Sequence, residues 1–430
     1  MKAILKKAVV VILTWQAKTV LKKYKPCIVA VTGSVGKTST KDAIFTVLSQ
    51  FYYVRKSDKS FNSEIGVPLT VLGCPNGWND PAVWLRNIIE GFALILLPNH
   101  YPKWLVLEIG ADRPGDIEMV TKWVIPDIAV ITRLSKVPVH VEYFENAQAV
   151  FKEKAYLAKA LKRDGVLILN ADDEDVLSYT QFFEGKTILY GTASNCDVLG
   201  SGYGIEYGEN KLPQGVVFNV AAGGESAVVK IKNGLGVQQM YPALAAIAVG
   251  VAKKLDLKGM AQALLGHRVS RGRMKILSGI KGSILIDDTY NSSPVATHEA
   301  LNTLEAIQTP GKKIAMLGDM LELGIHSTEE HKKIGERAAK IADKLFTVGV
   351  RSRFIAEGAL NNGMPESNIF QYEDSRIAGK DAEHLISVGD IVLIKGSQGT
   401  RMERSVEELL LNPLDKEKLL VRQDKEWKGR

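Results

Sequence analysis

The chain has only three cysteines in 430 residues, Cys27, Cys74 and Cys196, and no C-x-x-C pair. Their wide separation excludes a disulfide framework and a cysteine metal centre, and it suits a reducing compartment. A secretory signal with a small-residue cleavage site is lacking, as are a repeat array and a long low-complexity linker. The apolar run AVVVILTWQA, residues 8–17, is too short and too closely flanked by charge for an ordinary transmembrane span. There is no nucleic-acid reading motif and no sustained basic and aromatic groove pattern, which sets nucleic acid aside as a partner.

What is present is apolar residue, 46% of the chain, ample for more than one core in a length that normally makes two or three domains. The formal charge is +7, and its distribution matters more than its total. Residues 1–25 carry seven lysines and no acidic residue. On a helix, Lys7, Lys18, Lys22 and Lys25 would share roughly one face and leave a broad apolar side. That side would dock either on the protein's own core or, as a peripheral contact, on an anionic membrane surface.

The most informative stretch is VTGSVGKTSTKDAI, residues 31–44. CIVAVT before it reads as a strand and TSTKDAIFTVLSQ after it as a helix, so Gly33, Ser34, Val35 and Gly36 lie in a strand-to-helix turn. The two glycines permit close backbone approach, and the amides of Gly33 to Lys37 are expected to point inward around a polyphosphate at the helix N-terminus. Lys37 supplies a point charge, Thr38 a hydroxyl for a nucleotide-bound magnesium, and Ser39 completes the loop. The spacing departs from G-x-x-x-x-G-K-[ST], since Val31 stands where the first glycine of that form would be.

Strands and helices alternate from Pro26 to about His267. WLVLEIGA, DIAVITRL and GVLILNADD read as buried strands, with a helix over residues 147–161. Residues 199–236 read as short strands of a small attached sheet. A second unit begins near residue 270, with strands expected in KIAMLG, KLFTVG and DIVLIKG. The expected fold is α/β: a basic helix over 1–25, a central P-loop ATPase-type parallel-sheet domain over 26–268, and a Rossmann-like C-terminal α/β domain over 269–430. A nucleotide held by the first would be closed upon by the second.

Glu108 ends a strand and enters EIGADRPGDI, where a carboxylate would coordinate magnesium or serve only in an ion pair. Asp127 fits a turn or cap as well as a metal. His140, in VPVHVEYF, would be a second metal ligand or a satisfied loop histidine.

The ordered segments TGSVGKTSTKDAI, FNSEIGVPLTVL, VLEIGADRPGDI, EKAYLAKAL, LNADDEDV, ILIDDTYNSSP, AMLGDMLELG and LIKGSQGTRMERSV together resemble the ATP-dependent Mur ligases over nearly all of residues 27–411. Within that family the likeness is strongest to the branch that adds D-alanyl-D-alanine to UDP-N-acetylmuramoyl-tripeptide. The resemblance implies activation of a carboxylate by ATP as an acyl phosphate, attack by an amine, and release of ADP and phosphate. It implies that Lys37 stabilises the transferring phosphate, that Thr38 and Glu108 place Mg2+, and that His140 supports another metal position. Lys154, which composition alone reads as a solvated helix residue, would be carbamoylated and bridge magnesium. Gln239, Arg273 and Asp288 would contact the nucleotide, while Asn62, Tyr290, Asn291, Lys395 and Arg401 would face substrate. The partners implied are a small-molecule carboxyl substrate and an amino acid or dipeptide, with a single chain as the working unit.

Three departures stand beside this likeness. Gln238, Gln239 and Pro242 replace a His-Asn pair and a following Asn, and Tyr156 replaces a Glu after the modified lysine. The sequence before the phosphate loop is also too short for the family's uridine-holding domain, so a peptide, folate-like or lipid-linked carboxylate remains an alternative substrate. A catalytically weak nucleotide-binding regulator is the alternative of a different class.

Overall fold

The computed structural model describes residues 2–58, 64–111, 113–134, 144, 146–424 and 427. The first half of the chain runs α1 (Lys2–Tyr24), β1 (Cys27–Thr32), α2 (Lys37–Ser49), β2 (Val54–Lys56), α3 (Gly66–Leu72) and α4 (Pro81–Leu96). It continues with β3 (Trp104–Glu108), α5 (Asp116–Thr121), β4 (Ile128–Ile131), α6 (Ala147–Lys159), β5 (Val166–Asn170) and α7 (Glu174–Leu177). Then come β6 (Lys186–Gly191), β7 (Val198–Tyr207), β8 (Pro213–Ala222), β9 (Glu225–Lys232), α8 (Met240–Ala252) and α9 (Leu257–Leu265).

These strands order as β2-β3-β1-β4-β5-β6-β7-β8-β9, and every pairing from β2 to β7 is parallel. Burial on both faces explains why β1, β3 and β5 read as near-continuous apolar runs in the sequence. The central position of β1 between β3 and β4 puts a crevice beyond its carboxyl end, where the phosphate loop leaves the sheet.

The remaining elements are β10 (Lys275–Ser278), β11 (Ile284–Asp288), α10 (Pro294–Ala306), β12 (Lys313–Gly318), α11 (Ser327–Ala339), β13 (Lys344–Val348) and α12 (Arg353–Asn361). They end with β14 (Ile369–Tyr372), α13 (Ser375–Leu385), β15 (Ile391–Lys395), α14 (Glu403–Leu409) and α15 (Lys416–Leu419). Their sheet orders as β10-β11-β15-β12-β13-β14, parallel except for the β10–β11 pair. The fold is thus the expected α/β class, with a large parallel-dominated sheet and a second sheet.

By compactness the chain divides into one unit of residues 1–201, 219–229 and 241–267 and a second of residues 202–218, 230–240 and 268–430. The first has a core around β1, β3, β4 and β5 with α3 and α6, and the second a core around β12, β13 and β15 with α13 and α14.

Helix α1 belongs to the first core. Its sequence has neither glycine nor proline, and it stops just short of Pro26, whose preceding residue is biased away from helix. Leu13, Ala17 and Val20, spaced to share one face, are fully buried beside Gln16. Lys23 Nζ donates to the carbonyls of Leu94, Ile95 and Leu97 at 2.9, 2.9 and 2.7 Å, satisfying the end of α4 with a charge its dipole favours. One side of α1 therefore docks on the protein's own core. Leu13→Ala is expected to cost about 3 kcal/mol through the cavity it leaves, read as a lower midpoint in denaturant unfolding. An unchanged midpoint would show that α1 is not part of this core.

Candidate active site

Strand β1 ends at Thr32 and the chain turns through residues 33–36 into α2. Gly33 has φ 149°, and a Cβ there would meet Thr132 Oγ1 at 2.0 Å. Gly36, at φ 85° and ψ −2°, is the left-handed N-cap of α2. The loop is tied to the end of β4: Ser34 N and Val35 N donate to Arg133 O at 2.7 and 3.3 Å, and Thr132 Oγ1 donates to Val35 O at 2.7 Å. Two of the amides expected to face a polyphosphate thus hold the loop in place instead. The first intrahelical bond runs from Thr40 N to Gly36 O at 2.9 Å, so the amides of Lys37, Thr38 and Ser39 precede the helical ladder and give this end its anion-attracting character. Lys37 Nζ folds back onto Gly33 O at 2.9 Å and Ser34 O at 3.4 Å.

Parallel register sets Glu108 of β3 beside Val31 of β1, next to the loop. Glu108 is 1% exposed. Its Oε1 accepts from Thr38 Oγ1 at 3.2 Å, while Oε2 lies 3.7 Å from Lys41 Nζ and has no hydrogen-bond partner. A buried carboxylate oxygen in that state, beside a threonine hydroxyl, suits a hard cation that phosphate oxygens also hold. Among the described residues no three His, Cys, Asp or Glu side chains converge as a metal site, so a cation here would depend on such added oxygens. Lys41, on the same helix as Thr38, is not among the residues that the sequence singles out. It is 1% exposed, bonded into a chain with Asp42 at 3.6 Å, which Lys56 holds at 2.7 Å. Asp127 proves to be a turn residue: it accepts from Ile28 N at 2.8 Å and pairs with Lys162 at 2.6 Å.

Lys154 sits on α6, whose N-cap Asn146 accepts from Ala149 N at 2.9 Å. The lysine is 4% exposed. Burial pushes its amine down to about 7, the charge of Lys37 pushes the same way, and Glu153 opposes both. Glu153 is another residue that the sequence did not mark. It is turned toward α5, accepting from Gly115 N at 2.9 Å, Ile117 N at 2.7 Å and Glu118 N at 3.3 Å. Lys154 is thus a buried amine with a large neutral fraction near neutral pH, close enough to Lys37 to feel its charge. His140 and Asn62 lie outside the described residues.

In the second unit, register brings Asp288 at the end of β11 opposite Lys395 at the end of β15. Both are buried, 2.6 Å apart, and Lys395 Nζ also donates to Asn291 O at 2.9 Å. The Arg273 guanidinium lies 3.9 Å from the centre of the Tyr290 ring. Gln239 Nε2 donates to Arg273 O at 3.0 Å, which commits its amide nitrogen to this unit's backbone. Arg401 Nε pairs with Glu403 Oε1 at 2.6 Å, and Arg422 takes Oε2 of the same carboxylate at 2.9 Å. They line a cavity of about 310 Å³ with Arg376, Arg404 and Trp427. Arg422 went unmarked because only the fold brings it back to Glu403.

Family comparison matches residues 91–250 to the Mur ligase middle domain and residues 272–398 to the Mur ligase glutamate ligase domain. The UDP-N-acetylmuramoyl-tripeptide--D-alanyl-D-alanine ligase of Bacillus subtilis is 31% identical over 400 residues, covering 93% of this chain and 79% of the relative. The enzyme of the same name from Escherichia coli is 27% identical over 391 residues, covering 90% and 77%. The crystal structure of MurF ligase from Thermotoga maritima in complex with ADP superposes with a TM-score of 0.75 at 26% identity, covering 93% of this chain and 83% of that one. The folylpolyglutamate synthase of Mycobacterium tuberculosis, at a TM-score of 0.64 and 15% identity, shares the fold alone.

Proposed function

Because the chain belongs to the Mur ligase family, we propose that it is the ATP-dependent, ADP-forming ligase that joins D-alanyl-D-alanine to the carboxylate of UDP-N-acetylmuramoyl-tripeptide in peptidoglycan precursor synthesis. The observation that carries the reading is the convergence, within one unit, of the Lys37 loop, the Thr38–Glu108 pair and a buried Lys154 whose amine is pushed down to about 7. In this reading ATP phosphorylates the carboxylate, the amine displaces phosphate from the acyl phosphate, and an amide and inorganic phosphate result.

The chain's own residues position and neutralise. Lys37 places a fixed positive charge at the loop where the transferring phosphoryl group carries negative charge. Thr38 and Glu108 would hold magnesium, which when bound spreads the phosphate charge, and His140 would serve a second metal position. Lys154 is read as carbamoylated: its neutral amine bonds to carbon dioxide and loses one proton, which leaves a carboxylate where an ammonium would otherwise form. Gln239, Arg273 and Asp288 are read as nucleotide contacts, and Asn62, Tyr290, Asn291, Lys395 and Arg401 as substrate contacts. Residues 26–268 would supply the phosphate and metal contacts to ATP, and residues 269–430 the contacts from Arg273 and Asp288. The working unit is a single chain acting on small molecules, and residues 1–25 also touch a membrane surface peripherally.

A competition assay tests the reading. With ATP, UDP-N-acetylmuramoyl-tripeptide, D-alanyl-D-alanine and a panel of peptide, folate-like and lipid-linked carboxylates, mass detection is expected to show the pentapeptide product and one ADP per amide. Exclusive extension of another carboxylate would overturn the substrate assignment. Tight binding with neither amide nor ADP, while a related ligase works alongside, would replace the enzyme reading with a nucleotide-binding module.

A further inference from the structure

The ligase chemistry leaves one large surface of the first unit without a task. On α4, Leu85, Ile89, Phe92 and Leu96 follow at intervals of four, three and four residues, which places them on one helical face. They are exposed by 60%, 58%, 41% and 75%. On α1, Val11 and Trp15 are exposed by 67% and 51%, and the Trp15 ring lies 5.9 Å from that of Phe92. The two helices therefore present one continuous apolar face. Packing against the core accounts only for the opposite side of α1, where Leu13, Ala17 and Val20 are buried. Scattered exposed leucines are ordinary, but a contiguous stripe across two helices marks an interaction surface.

Charge selects the occupant. On the outward face of α1, Val11 and Trp15 are continued at the same four-three-four spacing by Lys18 and Lys22, and Lys7 lies one turn before Val11, so two exposed apolar residues sit between exposed lysines at both ends. Helix α1 holds six lysines and no acidic residue. On α4 the only two charges, Arg86 and Glu90, pair with each other at 2.7 Å and leave no net sign. A second copy of the chain would bring this lysine-rich rim against its own like in a two-fold contact. An anionic lipid surface complements it instead, offering acyl chains to the stripe and head groups to the lysines. Among the described residues no helix is long and apolar enough to cross a membrane, which leaves a helix pair lying in the plane of the interface.

We propose that α1 and α4 together form a docking face for an anionic lipid bilayer, with the α4 stripe inserted at the head-group boundary and Lys18 and Lys22 paired with lipid phosphates. The proposal rests on the peripheral reading of residues 1–25, moved from the broad apolar side of α1, which the core covers, to its lysine-bearing face, and it adds α4 as the principal inserting element.

The full chain is tested by cosedimentation with phosphatidylcholine vesicles, with and without phosphatidylglycerol, at low salt. Wild type is expected to bind the anionic vesicles and to be released as salt rises. Ile89→Glu with Leu96→Glu should reduce the bound fraction at least ~10-fold, and Lys18→Glu with Lys22→Glu should abolish the preference for phosphatidylglycerol. Both double variants should keep the wild-type melting temperature and wild-type turnover on soluble substrates, so that a lost ligase activity and a lost membrane contact are read separately. Wild type that stays in the supernatant would overturn both the docking face and the peripheral reading. Loss of binding in Trp15→Glu, with wild-type binding in the α4 variant, would overturn the role of α4 while leaving residues 1–25. A wild-type dimer in size exclusion that the α4 variant converts to monomer would assign the face to a second copy and overturn the proposal.

Discussion

Lys37→Ala is expected to lower turnover by about 10²- to 10³-fold while leaving the melting temperature within a degree or two of wild type. The two effects separate because of how the loop is built. Its shape is held by Ser34 N and Val35 N on Arg133 O and by Thr132 Oγ1 on Val35 O, none of which involves the lysine side chain. Lys37 Nζ bonds locally to Gly33 O and Ser34 O, within a loop whose shape those other bonds already set, so its removal chiefly takes away a charge. Lys37→Arg should not restore the rate, because a planar guanidinium fork cannot occupy the point position that an ammonium takes between those carbonyls. Steady-state ADP release and a thermal melt on the same preparations check both halves. Turnover within a few-fold of wild type would remove Lys37 from the phosphoryl-transfer role.

How much of this site could be read in advance follows from where each residue's environment comes from. The phosphate loop was legible because its glycines, lysine and threonine are contiguous and lie between a strand run and a helical pattern. The fate of the Ser34 and Val35 amides was not legible, since their acceptor is Arg133 at the end of another strand, about a hundred residues on. Glu108 could be singled out as a carboxylate at a strand end, but its buried partner Lys41 could not. That lysine is interior because the face of α2 that carries it is buried, which brings it 3.7 Å from Glu108. Asp288 and Lys395 were visible as members of separate motifs, and their pairing depends on the β11–β15 register. Helix α4 was missed altogether. It carries no motif, and its most apolar stripe points outward, against the rule by which apolar spacing is taken to mark a core face.

Lys154→Ala is expected to leave ADP affinity within a few-fold of wild type, since the loop at residues 33–38 is untouched, and to cut turnover on the order of 10²-fold. The argument starts from burial. At 4% exposure, and with Lys37 adding to the desolvation, the amine is pushed down to about 7, so above that pH it is mostly neutral and able to attack carbon dioxide. Enzyme stripped of bicarbonate should regain activity when it is restored. At fixed dissolved carbon dioxide, the rate of recovery should rise with pH to about 7 and then level, whereas an ordinary exposed lysine would continue toward 10.5. The stability sign follows from the same shift. Between pH 7 and 10.5 the unfolded chain holds a proton that the folded amine has lost, so before carbamoylation this group makes the fold more stable as pH rises through that window. A short carboxylate such as formate, supplied to Lys154→Ala, should recover part of the lost turnover by standing in for the carbamate's negative charge. Wild-type turnover in Lys154→Ala at subsaturating magnesium and substrate would exclude the lysine from catalysis. Loss of turnover with no bicarbonate dependence and no rescue by a carboxylate would mean instead that it acts as an unmodified buried amine.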